Sequence, residues 1–122
     1  MPNIATRFIT IAIVYAALGM AFGIWMGITQ SFDYAHVHAH INLVGWVTLA
    51  LFGLVYRAFP KMAEGRLAAV HFWVANLGAI IFIPGIVLAM ETQIMAGAIV
   101  GSLLVLASMV IFLVNFVRHA KA

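Results

Sequence analysis

Four long apolar runs separated by short polar breaks make up nearly the whole chain. They cover about Ala5–Thr29, His36–Phe59, Leu67–Met90 and Gln93–Arg118. Each exceeds the ~20 residues an α-helix needs to cross a ~30 Å hydrocarbon core. The breaks carry stop signals. Ser31 and Asp33 offer caps to the second helix, Pro60 follows its end, and Glu91-Thr92 marks a tight turn. Pro84 lies inside the third run and predicts a kink, which neighbouring helices tolerate. Connections this short predict an all-α, up-down integral membrane four-helix bundle, one domain over residues 1–122.

Composition agrees. Hydrophobic residues make up 66% of the chain and charged ones 7%, where a soluble domain carries about 25% charged. The mean hydropathy is +1.17. The absence of cysteine excludes disulfides, iron–sulfur ligation and thiol catalysis. The first run is too long and too Gly-rich for a signal-peptide core, and no small-residue cleavage site follows it, so it reads as a retained span.

Charge placement sets the expected orientation. Threading the runs puts Arg7, Arg57, Lys61, Arg66, Arg118 and Lys121 on one side, and Asp33 and Glu91 on the other. The positive-inside rule then turns both termini to the cytoplasm. The net charge of +3 reflects topology and gives no sign of nucleic-acid binding. The expected setting is a bacterial inner membrane, with the lipid bilayer as the first partner and His36–His40 near the periplasmic side.

Two runs carry small-residue ridges, Gly19-Gly23-Gly27 and Gly97-Gly101, which let helix backbones approach closely in lipid. They serve packing within one subunit or between subunits. Four helices enclose little volume for a large cofactor, which favours a homo-oligomer.

The chemistry concentrates in Asp33–Asn42, where His36, His38 and His40 stand at alternate positions at the mouth of the second run. Imidazole is the commonest protein ligand for transition metals and heme iron, and polar groups are costly in lipid unless paired or coordinated. On a helix His36 and His40 share a face, while His38 points the other way, near Asn42 and Gly45. The competing reading is interfacial histidines bonded to headgroups and water. His71 sits five residues past Arg66, ~8 Å in from the opposite side, and cannot join the cluster on one metal. It reads as an interfacial or helix-bonded histidine beside Trp73. His119 suits the end of the last helix, where a cation favours the helix dipole.

Other polar residues in the runs (Asn42, Thr48, Asn76, Ser102, Ser108 and Asn115) suit bonds across helices. Asp33, Glu64 and Glu91 all fall in connections, which weakens ion-pump and proton-coupled transporter readings. Phe32, Tyr34, Trp25 and Trp46 gather near the histidine mouth, where a flat ligand could stack, although Tyr and Trp favour interfaces anyway.

The stretch His38-Ala39-His40-Ile41-Asn42-Leu43-Val44-Gly45-Trp46, continuing through Phe52–Tyr56 to Pro60, resembles the second transmembrane helix of the heme–copper oxidase catalytic subunit. It is most similar to the nitric oxide reductases and C-type oxidases. His71–Gly78 is similar to the opening of that family's third helix. The resemblance implies that His40 is an axial ligand of a b-type heme, with Asn42 and Trp46 beside it; the expected second ligand is His36 or His38 of a neighbouring subunit. It also implies a homotrimer, since the family's twelve spans form three pseudo-equivalent groups of four. The chain departs from the family in lacking the copper-binding histidine helix and an outer arginine pair for the heme propionates. Propionates would need Trp indole, imidazole, backbone amides or water. Whether the protein is an enzyme stays open.

The leading expectation is a membrane heme protein for electron transfer or diatomic-gas (O2 or NO) binding, with an unidentified electron-transfer partner. The alternatives are a copper or zinc site on His36, His38 and His40 without porphyrin, in which Asp33 could add an oxygen ligand, and a metal-free accessory or assembly subunit.

Overall fold

A computed structural model describes residues 3–120, so Lys121 of the basic set lies outside the described residues. The chain forms four helices long and apolar enough to cross a membrane: α1 (Ile4–Thr29), α2 (Ala35–Ala58), α3 (Arg66–Thr92) and α4 (Ala96–His119). A 3-10 turn at Pro60–Ala63 joins α2 to α3. Pro60 opens this turn, because proline's fixed φ and missing N–H suit the start of a helical segment.

Helix α2 is not uniform. It is α-helical over Ala35–His40, widens to a π-helix over Ile41–Thr48, and is α-helical again over Leu49–Ala58. The wide turn has side-chain support: the Thr48 hydroxyl donates to the Leu43 carbonyl, five residues back, at 2.6 Å.

Two expectations about the breaks need correction. Ser31 and Asp33 do not cap α2; Tyr34 precedes it without a side-chain cap bond, and the turn is closed by Ala35 N–H donating to Phe32 O at 3.1 Å. The turn expected at Glu91-Thr92 comes later. The helix runs through Thr92, and Gln93 ends it with φ 64°. Glu91 therefore sits in the last turn of α3, where its carboxylate accepts a hydrogen bond from the Tyr34 hydroxyl.

The helices pair as two hairpins, α1 with α2 and α3 with α4. In the second, Gly85 faces Gly97, and Gly101 lies against the Phe82 backbone. A β-carbon on Gly101 would stand 2.4 Å from Phe82 Cα, so the close approach depends on its absence. In the first, Gly19 and Gly23 receive side chains of α2. Both small-residue ridges thus work within one chain, except Gly27, which has nothing within 4 Å.

The core sits toward the end carrying Arg7, Arg57, Lys61, Arg66 and Arg118, termed the basic end here. Phe8, Phe52, Tyr56, Met62, Phe72 and Ala75 cluster there. Only 11% of the most apolar window of α4 is buried inside the chain. The remainder is an apolar face too large for water, as a helix against lipid or another membrane helix requires.

Candidate functional site

His36, His38 and His40 occupy the first turns of α2, at the end opposite the basic one. His40 Nδ1 lies 2.7 Å from the His36 carbonyl oxygen. A carbonyl only accepts, so Nδ1 carries the hydrogen. In the neutral ring that leaves the Nε2 lone pair free to ligate. The ring meets Phe82 of α3 edge-on, at 5.2 Å between centroids and 90°. This bond does for the ring what an orienting partner does for a metal-bound histidine: it fixes tautomer and direction. His36 is exposed on the same face, its ring centroid 6.3 Å from that of His40.

His38 points the other way, into the groove between α2 and α1. A β-carbon on Gly23 would lie 2.9 Å from its Cε1, and Phe22 flanks the ring at 6.2 Å. Asn42 shares this groove. Its amide donates to the His38 carbonyl at 2.9 Å, approaches His38 Nε2 at 3.5 Å, and fills the space left by Gly19. His38 Nδ1 is buried without a hydrogen-bond partner among the described residues. Trp46, beyond the first π turn, packs against the aromatic core.

The expected site residues therefore divide three ways. His40 faces α3 with His36 exposed beside it, His38 and Asn42 face α1, and Trp46 joins the core. Among the described residues no group of three His, Cys, Asp or Glu side chains gathers to hold one ion. Two imidazoles on one tetrahedral ion have centroids about 5 Å apart, so the His36–His40 pair would have to close to share one.

The acidic side chains at this end act on Tyr34. Its hydroxyl donates to Glu91, and this bond, together with the Glu91 and Asp33 charges, pushes its phenol pKa above the ordinary value. The bond ties the start of α2 to the last turn of α3.

A second polar cluster was not anticipated. His71 is neither interfacial nor bonded to its own helix: it is fully buried, and its Nδ1 lies 3.0 Å from Tyr56 Oη. Asn115 donates to Tyr56 at 3.1 Å and to the Met62 carbonyl at 3.0 Å. The sequence does hold a signal for it. Tyr56, His71 and Asn115 each stand within about two turns of the basic end of their helices, so antiparallel threading places them in one layer.

Comparison with known proteins adds one partial relative. The chain is 27% identical over 89 residues to the cbb3-type cytochrome c oxidase subunit CcoN1 of Stutzerimonas stutzeri. The match takes in 63% of this chain but only 19% of that subunit, so the chain spans about a fifth of the relative it matches. No family profile matches the chain. No solved structure matches it significantly. The fold and this likeness define a membrane-spanning helical chain distantly similar to a heme–copper oxidase subunit.

Proposed function

We propose that this protein binds a b-type heme through His40 Nε2, for electron transfer or diatomic-gas binding. The observation that carries the reading is the 2.7 Å bond from His40 Nδ1–H to the His36 carbonyl, which leaves Nε2 as the free nitrogen. The surroundings suit a macrocycle. The ring meets Phe82 edge-on, and further along α3 lies a largely apolar groove of about 460 Å³ lined by Ile83, Pro84, Val87, Leu88 and Glu91. The partial likeness to an oxidase subunit favours heme over a bare copper or zinc ion, as does the lack of a three-ligand group among the described residues.

A bound heme would supply one-electron iron chemistry or binding of a diatomic gas. His40 would hold the iron; the His36 carbonyl keeps its ring in the ligating tautomer, and Phe82 limits its rotation. The exposed His36 of a neighbouring copy is the better second ligand, because His38 is turned into the α1 groove. The arrangement we favour is a homotrimer in a bacterial inner membrane, with both termini cytoplasmic and His40 near the periplasmic side. No oxidase activity is carried over to the chain.

The test is the oxidised and reduced absorption spectrum of protein purified in mild detergent from heme-replete cells. A Soret band that is lost in His40→Ala and retained in His38→Ala supports the reading. A colourless preparation, or stoichiometric copper or zinc without iron, overturns it.

A further inference from the structure

At the basic end a series of hydrogen bonds points one way, toward His71. Asn115 uses both amide hydrogens, one on Tyr56 Oη and one on the Met62 carbonyl. Its Oδ1 accepts from His119 Nδ1–H at 2.8 Å. Tyr56 Oη is thus an acceptor toward Asn115, and its own hydrogen goes to His71 Nδ1 at 3.0 Å. His71 Nδ1 is then the acceptor, and the neutral ring keeps its hydrogen on Nε2.

That Nε2–H is buried and meets no acceptor among the described residues. The ring stands among Phe8 of α1, Phe52 of α2 and Phe112 of α4, with centroids at 5.2, 4.5 and 5.0 Å. Tyr56 is the titratable group that touches it. His119 reaches it only through Asn115 and Tyr56, and Arg7 and Arg57 are exposed. Among the described residues no carboxylate faces the ring, so none of them compensates a positive charge on it. The cluster also ties the two hairpins together, with Tyr56 on α2, Met62 in the connection, His71 on α3 and Asn115 on α4.

A proton on Nδ1 reverses this logic. The nitrogen becomes a donor opposite a hydroxyl hydrogen, and Asn115 offers Tyr56 only donors in return. The phenol oxygen can turn to accept from both, but its own buried hydrogen is then left without an acceptor, and an uncompensated cation is left among phenyl rings; both are costly in an apolar interior. Parting the helices relieves both at once. Because opening takes up a proton, acid favours the open form. We infer that His71 is a proton-binding site whose occupation releases α4 from α2 at the basic end. His119 cannot substitute for it, since its Nδ1–H donates to Asn115 in either charge state.

The chain has no native cysteine, so spin labels can be placed at Leu54→Cys on α2 and Val117→Cys on α4, both exposed. Distances are read by double electron–electron resonance on the full chain in nanodiscs, at about pH 7.5 and about pH 5, on either side of ordinary imidazole titration. The expected result is a longer-distance population at acid pH only, retained in His119→Gln. It disappears in His71→Asn, whose amide oxygen still accepts from Tyr56 but does not titrate. Should His71→Asn fail to fold, His71→Phe, which does not titrate, serves instead, with one distance distribution expected at both pH values. An acid shift equally large in His71→Asn, or none in the unmodified chain, overturns the inference.

Discussion

Gly23 of α1 stands directly against the His38 ring: a β-carbon there would come within 2.9 Å of Cε1. The missing side chain is what lets His38 fold back onto α1 instead of turning outward with His36 and His40. The atom it would meet is the far end of a rotatable side chain, so the site can yield.

Gly23→Ala is therefore expected to fold, to displace the His38 ring, and to leave the His40 environment intact. The check is a Soret band unchanged in position and yield beside an altered His38 imidazole NMR signal. A Soret band lost in Gly23→Ala would place the heme on the α1 side of α2.

The glycines of α3 and α4 are less forgiving, because their neighbours are backbone. In Gly101→Leu the side chain meets the Phe82 main chain, and the hairpin must part. The expected loss is about 1–3 kcal/mol or more. Gly27→Leu, with open space around it, is expected to be near neutral for the folded chain. Denaturation in mixed micelles, with helicity as the signal, compares the two.

Asn115→Leu removes the donors to Tyr56 and Met62 from a side chain that is 1% exposed. A buried polar group left unpartnered costs about 1–3 kcal/mol, and measured values for bonds between membrane helices sit at or below the low end. We expect about 1–2 kcal/mol, with the largest rise in hydrogen exchange at the basic end of α4. A rise confined to the opposite end would contradict the placement of the network.

Tyr34 gives a pH signature outside the spans. Its phenol is raised by the hydrogen bond to Glu91 and by the Glu91 and Asp33 charges, so the fold favours the protonated form. The contribution of this bond is complete below the ordinary tyrosine value of about 10 and disappears as pH rises through the higher folded value. In Glu91→Gln the titration of Tyr34, followed by NMR of labelled tyrosine, is expected to move down toward that ordinary value. An unmoved titration would show that the bond to Glu91 is not formed in the membrane.

The four helices were legible because hydropathy over twenty-odd residues is a summed signal that no single position can spoil. The separation of His38 from His40 was legible too, since positions two apart on a helix diverge whatever surrounds them. Other features depend on partners distant in sequence. His71 reads as interfacial until Tyr56 and Asn115, 15 and 44 positions away, are brought beside it. Glu91 looks like a turn residue, because nothing local reveals that Tyr34 holds it in the last turn of α3. Trp46 was expected beside the histidines from the family resemblance and its nearness to the mouth, and neither reveals that its ring packs into the core.

That wide segment makes α2 tolerant in one place. A π turn accommodates one more residue than an α turn, so the 16 steps from His40 to Tyr56 rotate roughly as 15 would in a regular helix. Removing one residue between Ile41 and Thr48 would tighten the coil into an even one and keep both ends aimed as they are. The same excision within Leu49–Ala58 would swing Tyr56 about 100° away from His71. The surplus residue acts as slack between the His40 and Tyr56 halves of one helix, and lets each be shaped without misaligning the other.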